Sequence, residues 1–147
     1  MREVGALGDG RVSVFNAAEL AYLASQRLGR LATAVDGQPH VVPISFRYNA
    51  ETDTIDLGGH GLARSKKFRD VQRNPKVAFV VDDVPQPPPW RPRMVEIRGT
   101  AVTLPSGGDA FGLRFDPQII RITPVRIASF GIDAAERGPR AVHSRVA

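Results

Sequence analysis

The 147-residue sequence contains no cysteine, one tryptophan and two methionines, and only three of its 20 basic residues are lysine. Without cysteine there is neither a disulfide framework nor a thiolate metal site. Folding must then rest on an apolar core, and at this length a single domain buries roughly two thirds of its unfolded surface. No apolar run approaches the roughly 20 residues of a membrane-spanning helix. The opening stretch MREVGALGDGRVSVF carries acids and no signal-peptide core, so a soluble, cytoplasmic protein without membrane association is expected. His40, His60 and His143 show no metal-ligand spacing, GxSxG does not occur, and no acid–base dyad falls at helical spacing. No metal site and no catalytic side chain is therefore assigned; redox chemistry, if present, belongs to a cofactor.

Charge is what the chain does have. Twenty Lys and Arg against 15 Asp and Glu leave a net charge of +5, which suits an anionic partner. Aromatic residues at 7% and no RNP-like stacking motif argue against nucleic acid.

One domain over residues 1–147 is expected, with polar, loose arms at 1–13 and 134–147. In NAAELAYLASQ, Asn16 caps a first turn and Glu19 reaches back to it, which predicts a helix over 17–26. RLGRLATAV, the turn DGQP and HVVPISFRYN then form a hairpin, followed by a third strand in TIDLGG. Along HVVPISFRYN, Val42, Ile44, Phe46 and Tyr48 share one face and Val41, Pro43, Ser45 and Arg47 the other. A helix over 63–73 ends at Asn74 and Pro75. The apolar run KVAFVVDD reads as a strand buried on both faces or closing a barrel. VPQPPPWRPR, with five of the 12 prolines, is a stiff extended loop. RMVEIRGTAVTL and IIRITPVRIASFGI are long strands separated by a flexible loop around PSGGDAFG. The sum is a mainly β chain of about six antiparallel strands, which curl readily into a small barrel.

Three stretches carry possible chemistry. In GGHGLARSKKFRD, Arg64, Ser65, Lys66 and Lys67 fall in the first turn of a helix, where backbone N–H groups lack partners. Cations there oppose the helix dipole unless an anion sits between them and the amides. The same residues also read as a solvated basic face with Phe68 and Val71 turned inward, and spacing alone does not choose. Pro43 cannot donate to a β-ladder, so it marks an edge or bulge where Val42, Ile44 and Ser45 present backbone groups and a hydroxyl to a flat ligand. Trp90, Arg91 and Arg93 either clamp an anionic ring or decorate a rigid surface loop.

The order of these features, with RSKKFRDVQRNPKVAFVV as its most specific piece and RIASFGID as its close, resembles the pyridoxamine 5′-phosphate oxidase-like split β-barrels. Within them it is most similar to the small branch that uses the deazaflavin coenzyme F420. The likeness covers residues 17–133. It implies a six-stranded antiparallel split barrel and a homodimer with cofactor sites at the subunit interface. Ser65, Lys66 and Lys67 would hold the cofactor phosphate, Val42, Pro43, Ile44 and Ser45 would lie along the ring, and Gly59 and His60 near the ribityl chain. Trp90 and Arg93 would come from the partner subunit. Met94 stands where the oxidases tend to carry a glutamine, and their C-terminal Trp and Arg signature is missing, which argues against pyridoxamine phosphate as substrate. The implied activity is hydride transfer from reduced F420 to a small conjugated or hydrophobic substrate, lined by residues 84–93 and 105–117. The alternatives are an FMN-dependent oxidase or reductase, or a flavin- or F420-binding protein without turnover.

Overall fold

A computed structural model describes residues 4–7, 9–85, 87–133 and 137–143. The elements are β1 (Val4–Ala6), β2 (Val12–Asn16), α1 (Ala17–Ala24), β3 (Leu28–Val35), β4 (Gln38–Asn49), β5 (Thr54–Gly58), α2 (Lys66–Arg73), β6 (Lys76–Asp83), β7 (Arg93–Leu104), β8 (Ile119–Phe130) and β9 (Arg137–Ala141). Single 3-10 turns cover Leu62–Arg64 and Gly108–Phe111. Strands run in the order β5-β4-β3-β6-β7-β8, every neighbour antiparallel, and β5 pairs back onto β8 to close a six-stranded barrel. Strand β9 extends β8 beyond the reach of β5. Among the described residues no helix is long and apolar enough to cross a membrane.

Local sequence explains the turns. Asn16 accepts from the Glu19 amide and Glu19 from the Asn16 amide, the reciprocal cap expected for α1. Between β3 and β4, Asp36 (φ 52°) and Gly37 (φ 77°) both adopt left-handed backbone, the two-residue turn whose twist suits a hairpin. Inside the barrel, Leu31, Phe79, Val81, Val95, Ile97, Ile55, Leu57, Ile120 and Ile122 are all essentially buried.

The seam between β5 and β8 carries a buried charge. Asp56, 1% exposed, accepts both nitrogens of the Arg121 guanidinium at 2.8 and 3.1 Å. Asn49 Nδ2 donates to it at 3.0 Å, and Arg47 stands 3.6 Å away. The carboxylate is thus compensated from β4 and β8 at once.

One expectation changes, and one pair of alternatives is decided. The ends are not loose where they are described. Residues 4–6 and 12–16 pair as a hairpin, anchored by Asp53, which accepts from Ser13 Oγ at 2.7 Å and the Val14 amide at 2.9 Å. Residues 137–141 pair with β8, and the Arg140 guanidinium clasps the fully buried Glu19 carboxylate. Residues 1–3, 8, 134–136 and 144–147 lie outside the described residues. Of the two readings of KVAFVVDD, the structure takes the second: β6 is a barrel strand whose Val77, Phe79 and Val81 fill the interior, while Ala78 and Val80 are half-buried on the outer surface.

The seam makes a stability prediction. Asp56→Ala strands the Arg121 guanidinium and is expected to destabilise the fold by about 3 kcal/mol. Urea unfolding measures this as a lower midpoint at unchanged slope. A loss below about 1 kcal/mol would mean that the seam holds without the ion pair.

Candidate functional site

The basic segment sits at one corner of the barrel. β5 ends at Gly58 and the chain turns through Gly59, His60 and Gly61 (φ 61°) into the 3-10 turn and then α2. Helix α2 covers that end of the barrel. Phe68 and Val71 enter the core, Asn74 Nδ2 donates to the Ala34 carbonyl at 2.8 Å, and Gln72 meets Thr103.

The four first-turn residues play unequal parts. Ser65 caps the helix, its hydroxyl accepting from the Phe68 amide at 3.3 Å and donating to the Leu62 carbonyl at 2.6 Å. Its one proton is already used. Lys66 is not free either: its ammonium donates to both Asp70 oxygens at 3.0 Å. Asp70 also accepts from Thr33 Oγ1 at 2.9 Å, although it is only 5% exposed. Burial alone would raise the Asp70 carboxyl, but hydrogen bonds from Lys66 and Thr33, with the Lys66 charge, hold it below its ordinary value of 3.8. Lys67 and the exposed Arg64 have no side-chain partner among the described residues, nor do the backbone amides of Lys66 and Lys67. Phe68 and Val71 turn inward as a solvated basic face requires, and Lys67, Arg64 and the two amides are the groups an anion would meet at this turn.

The strand with Pro43 borders this corner. β4 pairs with β3 from Gln38 to Ser45, but its pairing with β5 covers only Ser45 to Asn49 and stops at Ser45 opposite Gly58. From Pro39 to Ile44 the far edge of β4 is therefore open, and the missing amide of Pro43 falls on that edge. Pro43 and Ser45 face outward, whereas Ile44 is buried and Val42 half-buried within the barrel. Of these four, only Pro43 and Ser45 offer side chains to a flat ligand; Val42 and Ile44 offer backbone.

Loop 105–117 is clamped against the same corner, not flexible as its composition suggested. The Asp116 carboxylate accepts from the Gly61 amide at 2.6 Å, and the Asp116 amide donates to the Gly59 carbonyl at 3.0 Å. Phe111 stacks on Phe115 (5.1 Å) and Phe115 on His60 (5.4 Å). A Cβ at Gly58 would strike the Phe111 ring at 2.8 Å, so the glycine is required by the loop. Gly59 differs: its φ is not left-handed and a Cβ there would meet nothing within 4 Å. Neither backbone nor packing demands that glycine, and it leaves room beside the unpaired amides. Residue types, room and charge at this corner fit a phosphate-bearing cofactor.

Trp90 and Arg93 belong to the proline-rich loop and the head of β7, and the role expected of them is at the site of a partner subunit. Trp90 is 65% exposed on the proline-rich loop. Arg93 is bidentate on Asp83 at 2.8 and 2.7 Å and lies over the Tyr22 ring, whose hydroxyl also donates to Asp83 at 2.8 Å. The hydrogen bonds from Arg93 hold Asp83 below its ordinary value against the opposing effect of burial. Within its own chain Arg93 is thus held in an internal ion pair. Among the described residues no cluster of His, Cys, Asp or Glu could hold a metal. The residues that sequence reasoning missed are Asp70, Thr33, Asp116, Phe111 and Phe115. Only Asp70, four positions after Lys66, left a signal in the local sequence.

Comparisons with known proteins agree with this fold. The sequence model of the pyridoxamine 5′-phosphate oxidase family matches residues 15–130. A 5a,11a-dehydrotetracycline/5a,11a-dehydrooxytetracycline reductase of Streptomyces rimosus subsp. rimosus is 47% identical over 120 residues, 81% of this chain and 84% of its own. The FAD binding protein of Mycobacterium smegmatis is 26% identical with a TM-score of 0.59, covering 81% of this chain and 97% of its own. A FAD-binding protein of Mesorhizobium loti shares the fold at 24% identity and a TM-score of 0.57, over 78% of this chain and 94% of its own.

The Asp70 pair predicts a pH dependence. A carboxyl held low in the folded state adds stability above its unfolded-state value, and that stability is lost as pH falls through the folded value. Asp70→Asn is therefore expected to melt below the wild type at pH 7, the gap narrowing below about pH 4. An equal gap at pH 3 and pH 7 would assign its effect to packing.

Proposed function

This chain belongs to the pyridoxamine 5′-phosphate oxidase family, and on that premise we propose that it is an oxidoreductase reducing a small conjugated substrate with reduced coenzyme F420. The observation that carries the reading is the corner itself. Lys67, Arg64 and two unpaired amides supply charge and donors, and they stand beside the open edge of β4. The likeness to a reductase of a dehydrotetracycline supports a reducing direction and a conjugated acceptor.

The chain's residues bind and orient; none is a nucleophile. Lys67, Arg64 and the α2 amides would hold the phosphate, while Pro43, Ser45 and the backbone of Val42 and Ile44 would line the ring. Gly59 leaves the turn open for the chain between them, with His60 at its side. When bound, the cofactor supplies a hydride, and the protein's part is to fix donor against acceptor. Binding a phosphate at Lys67 also removes the conflict between cations and helix dipole. FMN is the second reading; the 26% identical FAD binding protein supports a flavin-type cofactor in this fold.

The site is proposed to be completed in a homodimer. Leu28 (50% exposed) and Val41 (65%) flank Pro43 and Ser45 on the outer face of β3 and β4, an apolar surface beside the ring slot that a second copy would cover. Sedimentation equilibrium is expected to give twice the chain mass of 16.0 kDa; a monomer at micromolar concentration would remove the interface.

Fluorescence titration with F420 and with FMN tests the cofactor. Lys67→Ala is expected to weaken binding by roughly 1.5–3 kcal/mol, the scale of a charged hydrogen bond, with little change in melting temperature. FMN binding at micromolar concentration with none of F420 would replace the first reading by the second. Unchanged affinity in the variant would remove the phosphate site from Lys67.

A further inference from the structure

The carboxylate of Asp116 stands where an anion site would be expected to exclude one. It takes the Gly61 amide at 2.6 Å, so one donor of the turn faces a fixed negative charge, not solvent. It cannot swing aside easily. Its own amide is bound to the Gly59 carbonyl at 3.0 Å, the following Pro117 carbonyl accepts from Gly108 at 2.9 Å, and the adjacent Phe115 is stacked on His60.

The positive side of the site is reduced as well. Lys66 is neutralised by Asp70 at 3.0 Å, so the lysine pair contributes one free ammonium, that of Lys67. Arg64 adds an exposed guanidinium, and Arg69, whose Nη1 donates to the Arg64 carbonyl at 2.7 Å, adds a second at the rim. The corner is therefore cationic but carries two built-in carboxylates, one of them bonded to the turn itself.

That arrangement distinguishes phosphates by charge. A terminal phosphate monoester carries about −1.5 to −2 at pH 7, with a second pKa of about 6. A diester carries a single charge. The second charge of the monoester interacts unfavourably with a carboxylate fixed on the turn that leads into the same helix start, and the partial burial of Asp116 keeps that repulsion from being fully screened. We propose that Asp116 is a specificity-determining residue that favours a singly charged phosphodiester over a doubly charged monoester. Of the two cofactors considered, F420 carries a diester and FMN a monoester. The inference rests on the reading of this corner as the phosphate site, and it adds the residue that selects between phosphate classes.

The test is fluorescence titration of FMN and F420 into the wild type, Asp116→Asn and Lys67→Ala at pH 8. Asparagine keeps an oxygen for the Gly61 amide and removes the charge. Asp116→Asn is expected to tighten FMN binding on the order of five-fold and F420 binding by less than about two-fold. At pH 5.5, below the second pKa of about 6, the monoester is mostly singly charged, and the FMN gain is expected to shrink toward that of F420. Should Asp116→Asn fail to fold, Asp116→Ser offers a second uncharged acceptor for the same comparison. Equal shifts for both ligands, or none, with Lys67→Ala weakening both, would leave the phosphate site standing and overturn the selectivity. Lys67→Ala leaving both affinities intact would remove the site and the proposal together.

Discussion

The closure of β5 onto β8 is the constraint on which the rest of the structure depends. Asp56 and Arg121 are register partners across that seam, and their ion pair is buried with help from Asn49 and Arg47. Closure does more than seal a core. Because the pairing is antiparallel, with Leu57 opposite Ile120, the end of β5 meets the start of β8 at one corner. The turn after β5 is the glycine-rich stretch 58–61, and the loop before β8 is 105–117. Their contact through Asp116, Phe111 and Phe115 follows from the seam. So does the position of α2, which leaves that turn and has nowhere to go but across the barrel end.

The corner also shows how charges in one short segment acquire different work. Lys66 and Lys67 are neighbours in sequence, but successive helical positions point about 100° apart. One meets a buried carboxylate held by Thr33; the other meets no side-chain partner among the described residues. Lys66 thus stabilises the packing of α2 on β3, and the Lys67 ammonium has no such structural work. Arg93 repeats the first pattern at the head of β7, where Asp83 and Tyr22 absorb it. A basic residue in a plausible motif is a ligand candidate only after its internal partners have been counted.

Much of the fold was legible because it is written in local patterns. The cap at Asn16 and Glu19, the Asp36-Gly37 turn, the alternation along β4 and the stop at Asn74-Pro75 each depend on residues within a few positions of one another. Pro43 read correctly as an edge for the same reason, since its missing N–H is a property of the residue itself. The ends were misread because polar composition says nothing about a partner strand or a buried carboxylate far along the chain. Glu19 and Arg140 are 121 positions apart, and their pairing leaves no periodic trace. Strand β6 left two readings open in the sequence because alanine and valine serve equally in a buried layer and on the half-covered outer face of a barrel.

The sequence by itself determined that this is a cysteine-free, mainly β chain with a basic helix start and an open-edged strand. Those features follow from side-chain chemistry and short-range spacing. Only the tertiary structure decided which of the cations is free, that Val42 and Ile44 turn inward, and that a carboxylate from residue 116 sits on the turn at residue 61. Those are matters of which groups share a corner of space. Barrel closure sets them by joining segments 55 residues apart, and no local rule encodes that distance.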